Sequence, residues 1–126
     1  MEEKKFFTLE EANRLLPKVA SIVEAIVILW KSMTQKEHEV SAIGKKREGN
    51  GGGSAGSDYV IEYASLEGRI NTLQEMGILL KDLNMGLIDF PHIREGREVY
   101  LCWKLGENKI EYWHEIEAGY TGRQQL

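Results

Sequence analysis

The sequence has a single cysteine, two prolines, more acidic than basic side chains and no long apolar run. Its one cysteine, Cys102, can form neither an internal disulfide nor a metal site made of thiolates alone, and such a chain is typical of a reducing, cytoplasmic compartment. The net charge of −4 lacks the basic surface that nucleic-acid binding requires, so we expect no nucleic-acid partner. The most apolar stretch, residues 19–30, is shorter than the roughly 20 residues that span a membrane, which predicts no membrane insertion.

A long amphipathic helix is predicted near the start of the chain. Thr8 and Glu11 have the spacing of a capping box, in which each side chain accepts a hydrogen bond from the other residue's backbone amide, so the helix should begin at Leu9. From there to Met33, apolar residues recur at alternating steps of three and four, which is a heptad pattern. Pro17 lies inside this pattern and predicts a kink or a break just before it, because proline removes one backbone hydrogen bond.

A second helix is predicted after a glycine-rich loop. Residues 45–57 contain five glycines, which indicates a flexible connection. The second helix should begin after Ser57 or Asp58 and end at Gly77, since these residue types favour the two ends of helices. Residues 8–77 therefore predict an antiparallel helical hairpin.

The first helix is apolar on more than one side. Leu15, Ile22 and Leu29 form a second apolar stripe beside the heptad pattern. A helix of this width needs more than one covering surface. The second helix can supply one of them, and the sheet or a second subunit can supply another. We therefore expect the protein to self-associate through its helices as a homo-oligomer.

The remaining residues, 78–126, alternate in the manner of short strands and end in a glycine-containing tail. They predict an antiparallel meander of three or four strands. The predicted fold class is therefore α+β, with the helical hairpin packed on the meander in a single domain that spans residues 1–126. A two-residue turn at residues 95–96 would pair Asp89 with Cys102 on the face opposite the helices.

The register of the last hairpin stays open at this point. A two-residue loop after Gly106 would place His114 on the face of Trp103, beneath the helices. A three-residue loop would place His114 beside Asp89 instead. Only the second register joins an imidazole and a carboxylate on one surface.

The last third of the chain contains the residue types that bind ligands or metals. The candidates are Asp82, Asp89, Trp113, His114, Glu115, Tyr120 and Arg123. Asp89, His114 and Glu115 are the candidate ligands of a divalent metal, because carboxylate and imidazole groups suit zinc, iron and manganese. His114 and Glu115 are adjacent, so a regular strand would point them to opposite faces. The structural alternative is that the aspartates cap turns, Trp113 packs in the core and Arg123 pairs with a nearby glutamate.

Several short strings of the sequence look familiar in combination. They are FTLEEAN at 7–13, LLP at 15–17, KDL at 81–83, GLIDFP at 86–91, GREVYLCWKLGE at 96–107, WHE at 113–115 and GYTGR at 119–123. Together they resemble the bacterial family known as domain of unknown function 2203. The resemblance covers the first 17 residues and nearly everything after Lys81. It implies a bacterial protein, but no activity, substrate or cofactor, because none is established for that family.

The sequence contains no complete catalytic set, and Cys102 lacks an activating base, so we expect its thiol to be inert. We therefore expect a small soluble, non-enzymatic protein that self-associates through its helices and presents its aromatic and charged C-terminal surface to a partner or a small ligand. The alternative is a metal-dependent or acid–base enzyme of the hydrolase type that uses Asp89, His114 and Glu115, with Arg123 binding an anion.

Overall fold

The computed structural model describes the backbone of residues 4–46 and 54–126, and the side chains of residues 4–35 and 58–126. In these residues, two helices precede a five-stranded antiparallel sheet. The elements are α1 (Leu9–Lys46), α2 (Ser54–Met76), β1 (Leu79–Asp82), β2 (Leu87–Arg94), β3 (Arg97–Lys104), β4 (Tyr112–Glu115), a 3-10 helix (Tyr120–Gly122) and β5 (Gln124–Gln125). The predicted α+β class is confirmed. The meander has five strands instead of three or four, because the tail turns back and adds β5 beside β4.

The predicted capping box holds the start of α1. The amide of Thr8 donates to Oε1 of Glu11 at 2.9 Å, and the amide of Glu11 donates to Oγ1 of Thr8 at 3.0 Å. The helix is not broken at Pro17. Leu16 and Val19 are buried in the core on either side of the proline, and their packing keeps the backbone helical where one hydrogen bond is lost. No helix in the described part of the chain is both long and apolar enough to cross a membrane.

The connection between the helices is shorter than predicted. α1 continues through Gly44 to Lys46 and α2 begins at Ser54, so both ends of the predicted 45–57 loop are helical. A glycine costs a helix only about 1 kcal/mol relative to alanine, which does not suffice to end α1. The rest of the predicted loop, residues 47–53, lies outside the described residues.

Gly77 ends α2 as predicted. Its φ angle of 86° lets its amide donate to the carbonyl oxygen of Gln74, while the amide of Ile78 donates to that of Leu73. These two bonds form a Schellman motif, which satisfies carbonyl groups at the end of the helix. Gly77 lies beside Lys5, shortly before α1 begins, so the two helices run antiparallel.

The β2–β3 hairpin has the predicted register. Glu95 and Gly96 have positive φ angles, 51° and 80°, as the two central residues of a type I′ turn require. Asp89 consequently lies across from Cys102. The tight turn leaves no slack for the strands to slip past each other.

The last hairpin adopts the register that brings His114 to the face of Asp89. In β4, His114 lies across from Tyr100 of β3. The connection between these strands, residues 105–111, is longer than the predicted loop of two or three residues. The amide of Ile110 donates to Oδ1 of Asn13 in α1 at 2.9 Å, so this part of the connection is bound to the helix and does not extend β4.

The helices cover one face of the sheet. Buried apolar side chains of both helices, of β2 and β3 and of the connection to β4 form this core, and they include Ala12, Leu16, Val19, Val23, Ile26, Leu73, Ile88, Phe90, Leu101, Trp103 and Ile110. The face opposite the helices carries Asp89, Cys102 and His114, which are buried as well. The sheet therefore has one apolar and one polar buried face.

Gly86 offers a test of how tightly α1 packs on the sheet. A Cβ at this residue, which has a φ angle of 67°, would lie 2.8 Å from Cβ of Leu105 and 3.0 Å from Cγ1 of Val23. Gly96 has a φ angle of 80°, but a Cβ there would meet nothing within 4 Å. Gly86→Ala should therefore lower the free energy of unfolding by about 1–3 kcal/mol more than Gly96→Ala, because both strain the backbone but only the first overpacks the core. Urea unfolding measures the difference, and equal losses would contradict the close approach at Gly86.

Candidate metal centre

Three neighbouring strands bring Asp89, Cys102 and His114 together. Asp89 in β2 lies across from Cys102 in β3, and His114 in β4 lies across from Tyr100, two residues before the cysteine. Side chains two residues apart on a strand share a face, so all three side chains point to the same side of the sheet. One oxygen of the carboxylate, the Sγ atom and one imidazole nitrogen lie within 4.8 Å of one another. We call these three residues the triad.

The triad is shielded from solvent. Asp89 and His114 are each 2% exposed, and Cys102 is 0% exposed. Nε2 of His114 lies 3.0 Å from Oδ1 of Asp89. Buried ionisable groups are costly unless they pair with each other or with an ion, so this contact is needed to keep both groups inside the protein.

A backbone contact of His114 assigns a hydrogen to Nδ1, one of the two nitrogens of its ring. Nδ1 lies 2.7 Å from the carbonyl oxygen of Glu115, which can only accept a hydrogen bond, so Nδ1 carries a hydrogen. Nε2 is thereby directed at Asp89 and Cys102. A ring whose other N–H donates to a backbone carbonyl is the arrangement typical of metal-bound histidines.

The carboxylate of Asp89 faces a different group with each oxygen. Oδ1 faces the imidazole, and Oδ2 lies 4.0 Å from Nζ of Lys81. Burial raises the pKa of Asp89 above its ordinary value, because the charged form loses its hydration, while His114, Lys81 and Cys102 act in the opposite direction.

Cys102 belongs to the triad, although it was not among the metal ligands predicted from the sequence. Burial, with a further contribution from the charge of Asp89, raises the pKa of its thiol to about 12. The thiol is therefore protonated at neutral pH, and it is a poor nucleophile in this form. The signal that could have included it was already in the sequence, since the predicted hairpin register pairs it directly with Asp89.

Aromatic rings and cations surround the triad. The ring of Tyr100 packs edge-on against that of His114, with centroids 5.6 Å apart. Nζ of Lys81 lies 4.9 Å from the centre of the Tyr100 ring, and the guanidinium of Arg123 lies 3.9 Å from the centre of the Tyr112 ring. These cation–π contacts hold two positive groups beside the buried polar face.

Glu115 and Trp113 flank His114 in β4 and share the face opposite the triad. The carboxylate of Glu115 accepts hydrogen bonds from Nε and Nη2 of Arg97 at 2.8 and 3.0 Å. Trp113 is buried, with the guanidinium of Arg94 4.6 Å from its ring centre, and its Nε1 has no hydrogen-bond partner among the described residues. The alternation of side chains along the strand thus separates Glu115 from the other two candidate metal ligands.

Asp82, Tyr120 and Arg123 also lie outside the triad. Oδ1 of Asp82 accepts hydrogen bonds from the amides of Asn84 and Met85, at 2.8 and 2.9 Å. This aspartate therefore caps the turn between β1 and β2. Arg123 forms an ion pair with Glu107 at 2.6 Å, and its guanidinium also lies 4.9 Å from the centre of the Tyr120 ring. These contacts anchor the C-terminal tail against the sheet.

The triad offers one oxygen, one sulfur and one nitrogen atom to a common ligand. A divalent ion of intermediate softness accepts all three kinds of atom, and zinc and ferrous iron are examples. Magnesium and calcium prefer oxygen ligands alone, so the cysteine disfavours them.

The comparisons with known proteins bear on the whole chain. A family model described as an uncharacterised conserved protein, DUF2203, matches residues 5–126. The chain belongs to the DUF2203 family. The match includes the three residues of the triad and agrees with the resemblance noted in the sequence. No curated protein and no solved structure gives a significant match.

In this DUF2203 protein, the thiol of Cys102 should react only when the fold opens. Its side chain is buried and its thiol is protonated, so both access and the reactive thiolate are lacking. The measurement is the rate at which 5,5′-dithiobis(2-nitrobenzoate) labels the thiol, recorded as absorbance in the absence of added metal. We expect this rate to be about 100-fold or more slower in native buffer than in denaturing urea. Rapid labelling of the folded protein would contradict the burial of the triad.

Proposed function

We propose that this DUF2203 protein binds one divalent transition-metal ion through Asp89, Cys102 and His114. The observation that supports this most directly is the convergence of the three ligand atoms within 4.8 Å on one buried face. Burying these groups costs free energy that apolar side chains would avoid, and a bound ion would offset that cost.

The orientation of His114 supports the same proposal. Its Nδ1–H donates to the carbonyl oxygen of Glu115, which leaves Nε2 as the nitrogen available to an ion. In metal proteins this second hydrogen bond fixes the tautomer and the angle of the ring before the ion arrives. The triad is therefore preorganised on the side of the imidazole.

The ion we propose is zinc or a similar first-row metal. A metal-bound thiol loses its proton, so the ion would hold Cys102 as a thiolate even though burial disfavours that form in its absence. We place the protein in the reducing cytoplasm of bacteria, where a thiol ligand stays free of disulfide exchange. Three protein ligands would leave a tetrahedral ion with one position for water or another small ligand, as in catalytic zinc sites.

Cobalt binding provides the test of the site. Co²⁺ substitutes for zinc and gives a thiolate charge-transfer absorption when a cysteine ligates it. We expect the full chain to bind one equivalent with this absorption. Cys102→Ala should remove the absorption, and His114→Ala should weaken binding by about 100-fold or more.

Glu115→Gln is the matched control for these variants. Its carboxylate lies on the opposite face and pairs with Arg97, so the substitution should leave cobalt affinity unchanged. Circular dichroism establishes that each variant is folded. Absence of the thiolate absorption in the wild type, or its loss in Glu115→Gln but not in Cys102→Ala, would refute the proposed site.

A second proposal concerns self-association through the helices, with a second copy of the chain as the partner. Large apolar side chains are exposed on α1 and α2, and they are Ile28, Val60, Ile61 and Tyr63. On α1, the exposed Glu24 and Lys31 lie on either side of Ile28 at helical spacing. In an antiparallel contact centred on Ile28, Glu24 of each copy would face Lys31 of the other, so this surface is complementary to itself.

Light scattering tests the second proposal. We expect a dimer at micromolar concentration, and Ile28→Lys should shift it to the monomer because a charge would be buried at the centre of the contact. Ile93→Lys, at an exposed apolar residue of β2, serves as the control and should leave the dimer intact. A wild-type chain that stays monomeric at high concentration would rule out the helical interface.

A further inference from the structure

Lys81 is a partly exposed charged side chain that contacts the triad through Asp89. It lies in β1, whose pairing with β2 is interrupted by a register shift between Leu80 and Asp82. Irregularities of this kind redirect a side chain and are frequent beside functional sites. Here the side chain of Lys81 is 41% exposed, yet its Nζ reaches to 4.0 Å from Oδ2 of Asp89.

We propose that the metal bound by the triad takes a small carboxylate as its additional ligand, held jointly by the ion and by the ammonium of Lys81. This inference rests on the proposed function, since it requires the metal. It goes further in naming the chemical class of the ligand and the residue that selects it.

The balance of charges favours a ligand with a single negative charge. A divalent ion bound by the carboxylate of Asp89, the thiolate of Cys102 and a neutral imidazole forms a group with no net charge. Because the charge of Asp89 is then balanced by the ion, the positive charge of Lys81 has no matching negative charge within this group. The other nearby cation, Arg123, is already neutralised by Glu107 at 2.6 Å. One further negative charge therefore completes the site.

The burial of the triad limits an additional ligand to a few atoms. The triad is 0–2% exposed and Tyr100 is 7% exposed, so side chains enclose it closely. Lys81 is the more exposed neighbour, and its side is the one from which a ligand would enter. A carboxylate places one oxygen on the ion and the other on the ammonium, which a single-atom anion does not do.

Acetate and acetamide distinguish charge from shape, because they have the same size and differ in charge. The cobalt-loaded full chain is titrated with each compound at constant ionic strength, and the visible ligand-field absorption of Co²⁺ is recorded. We expect acetate to change this absorption in a saturable manner, and acetamide to leave it unchanged. Lys81→Met should weaken acetate binding about 10-fold or more.

Lys104→Met is the matched control for Lys81→Met. Lys104 is a lysine of the same face, and its Nζ lies 3.4 Å from the hydroxyl of Tyr120 instead of facing Asp89. Its substitution should leave acetate affinity unchanged. Lys81→Met should still bind Co²⁺, and at least as tightly as the wild type, since a positive charge beside the ion has been removed.

The outcomes separate this inference from the proposed function. If the wild type shows no thiolate–cobalt absorption, the metal site itself is refuted. If cobalt binds but acetate has no saturable effect, or if acetate affinity is the same in Lys81→Met and the wild type, the carboxylate ligand is refuted while the metal site stands. Weaker binding of acetate in Lys81→Met, with unchanged binding in Lys104→Met, supports the inference.

Discussion

The register of the β2–β3 hairpin decides which side chains of these strands face the helices and which face the opposite side of the sheet. A slip of one residue would move every side chain of a strand to the other face of the sheet. The two-residue turn at Glu95 and Gly96 prevents this slip, because its positive φ angles fit only one pairing of the flanking strands. Phe90 and Leu101 therefore face the helices, and Asp89 faces Cys102.

Local chemistry made much of the fold predictable from sequence. The capping box at Thr8, the stop at Gly77 and the turn at residues 95–96 each act through contacts between neighbouring residues, and a single sequence contains all of that information. The uninterrupted passage of α1 through Pro17 was not predictable in the same way. It depends on the packing of the surrounding helix against the sheet, which overrides a local preference.

The candidate site was predictable only in part, for a related reason. Asp89 and His114 could be placed on one face once the last hairpin had its register, but two registers were open. The connection before β4 is bound to α1 by the hydrogen bond between Ile110 and Asn13, which are far apart in sequence, so the residues of the hairpin alone do not specify the pairing. The triad contains Cys102 and not the predicted Glu115, because Glu115 is adjacent to His114 and adjacent residues of a strand point to opposite faces.

The two faces of the sheet differ in what their burial achieves. On the helical face, apolar side chains lose contact with water and stabilise the fold. On the other face, burial removes water from a carboxylate, a thiol and an imidazole, and this costs free energy. Proteins tolerate such a cost mainly at functional sites. The polar face is therefore the face that points to a function.

Glu115 belongs to both faces at once. Its carbonyl oxygen accepts a hydrogen bond from Nδ1 of the buried His114. Its carboxylate forms an ion pair with Arg97 on the opposite face, where the arginine side chain is half-exposed. Only a few covalent bonds join these two attachments. One residue thus serves two surroundings with different atoms: its backbone contacts the buried ring and its side chain contacts the surface arginine, so a change confined to the side chain leaves the inner contact in place.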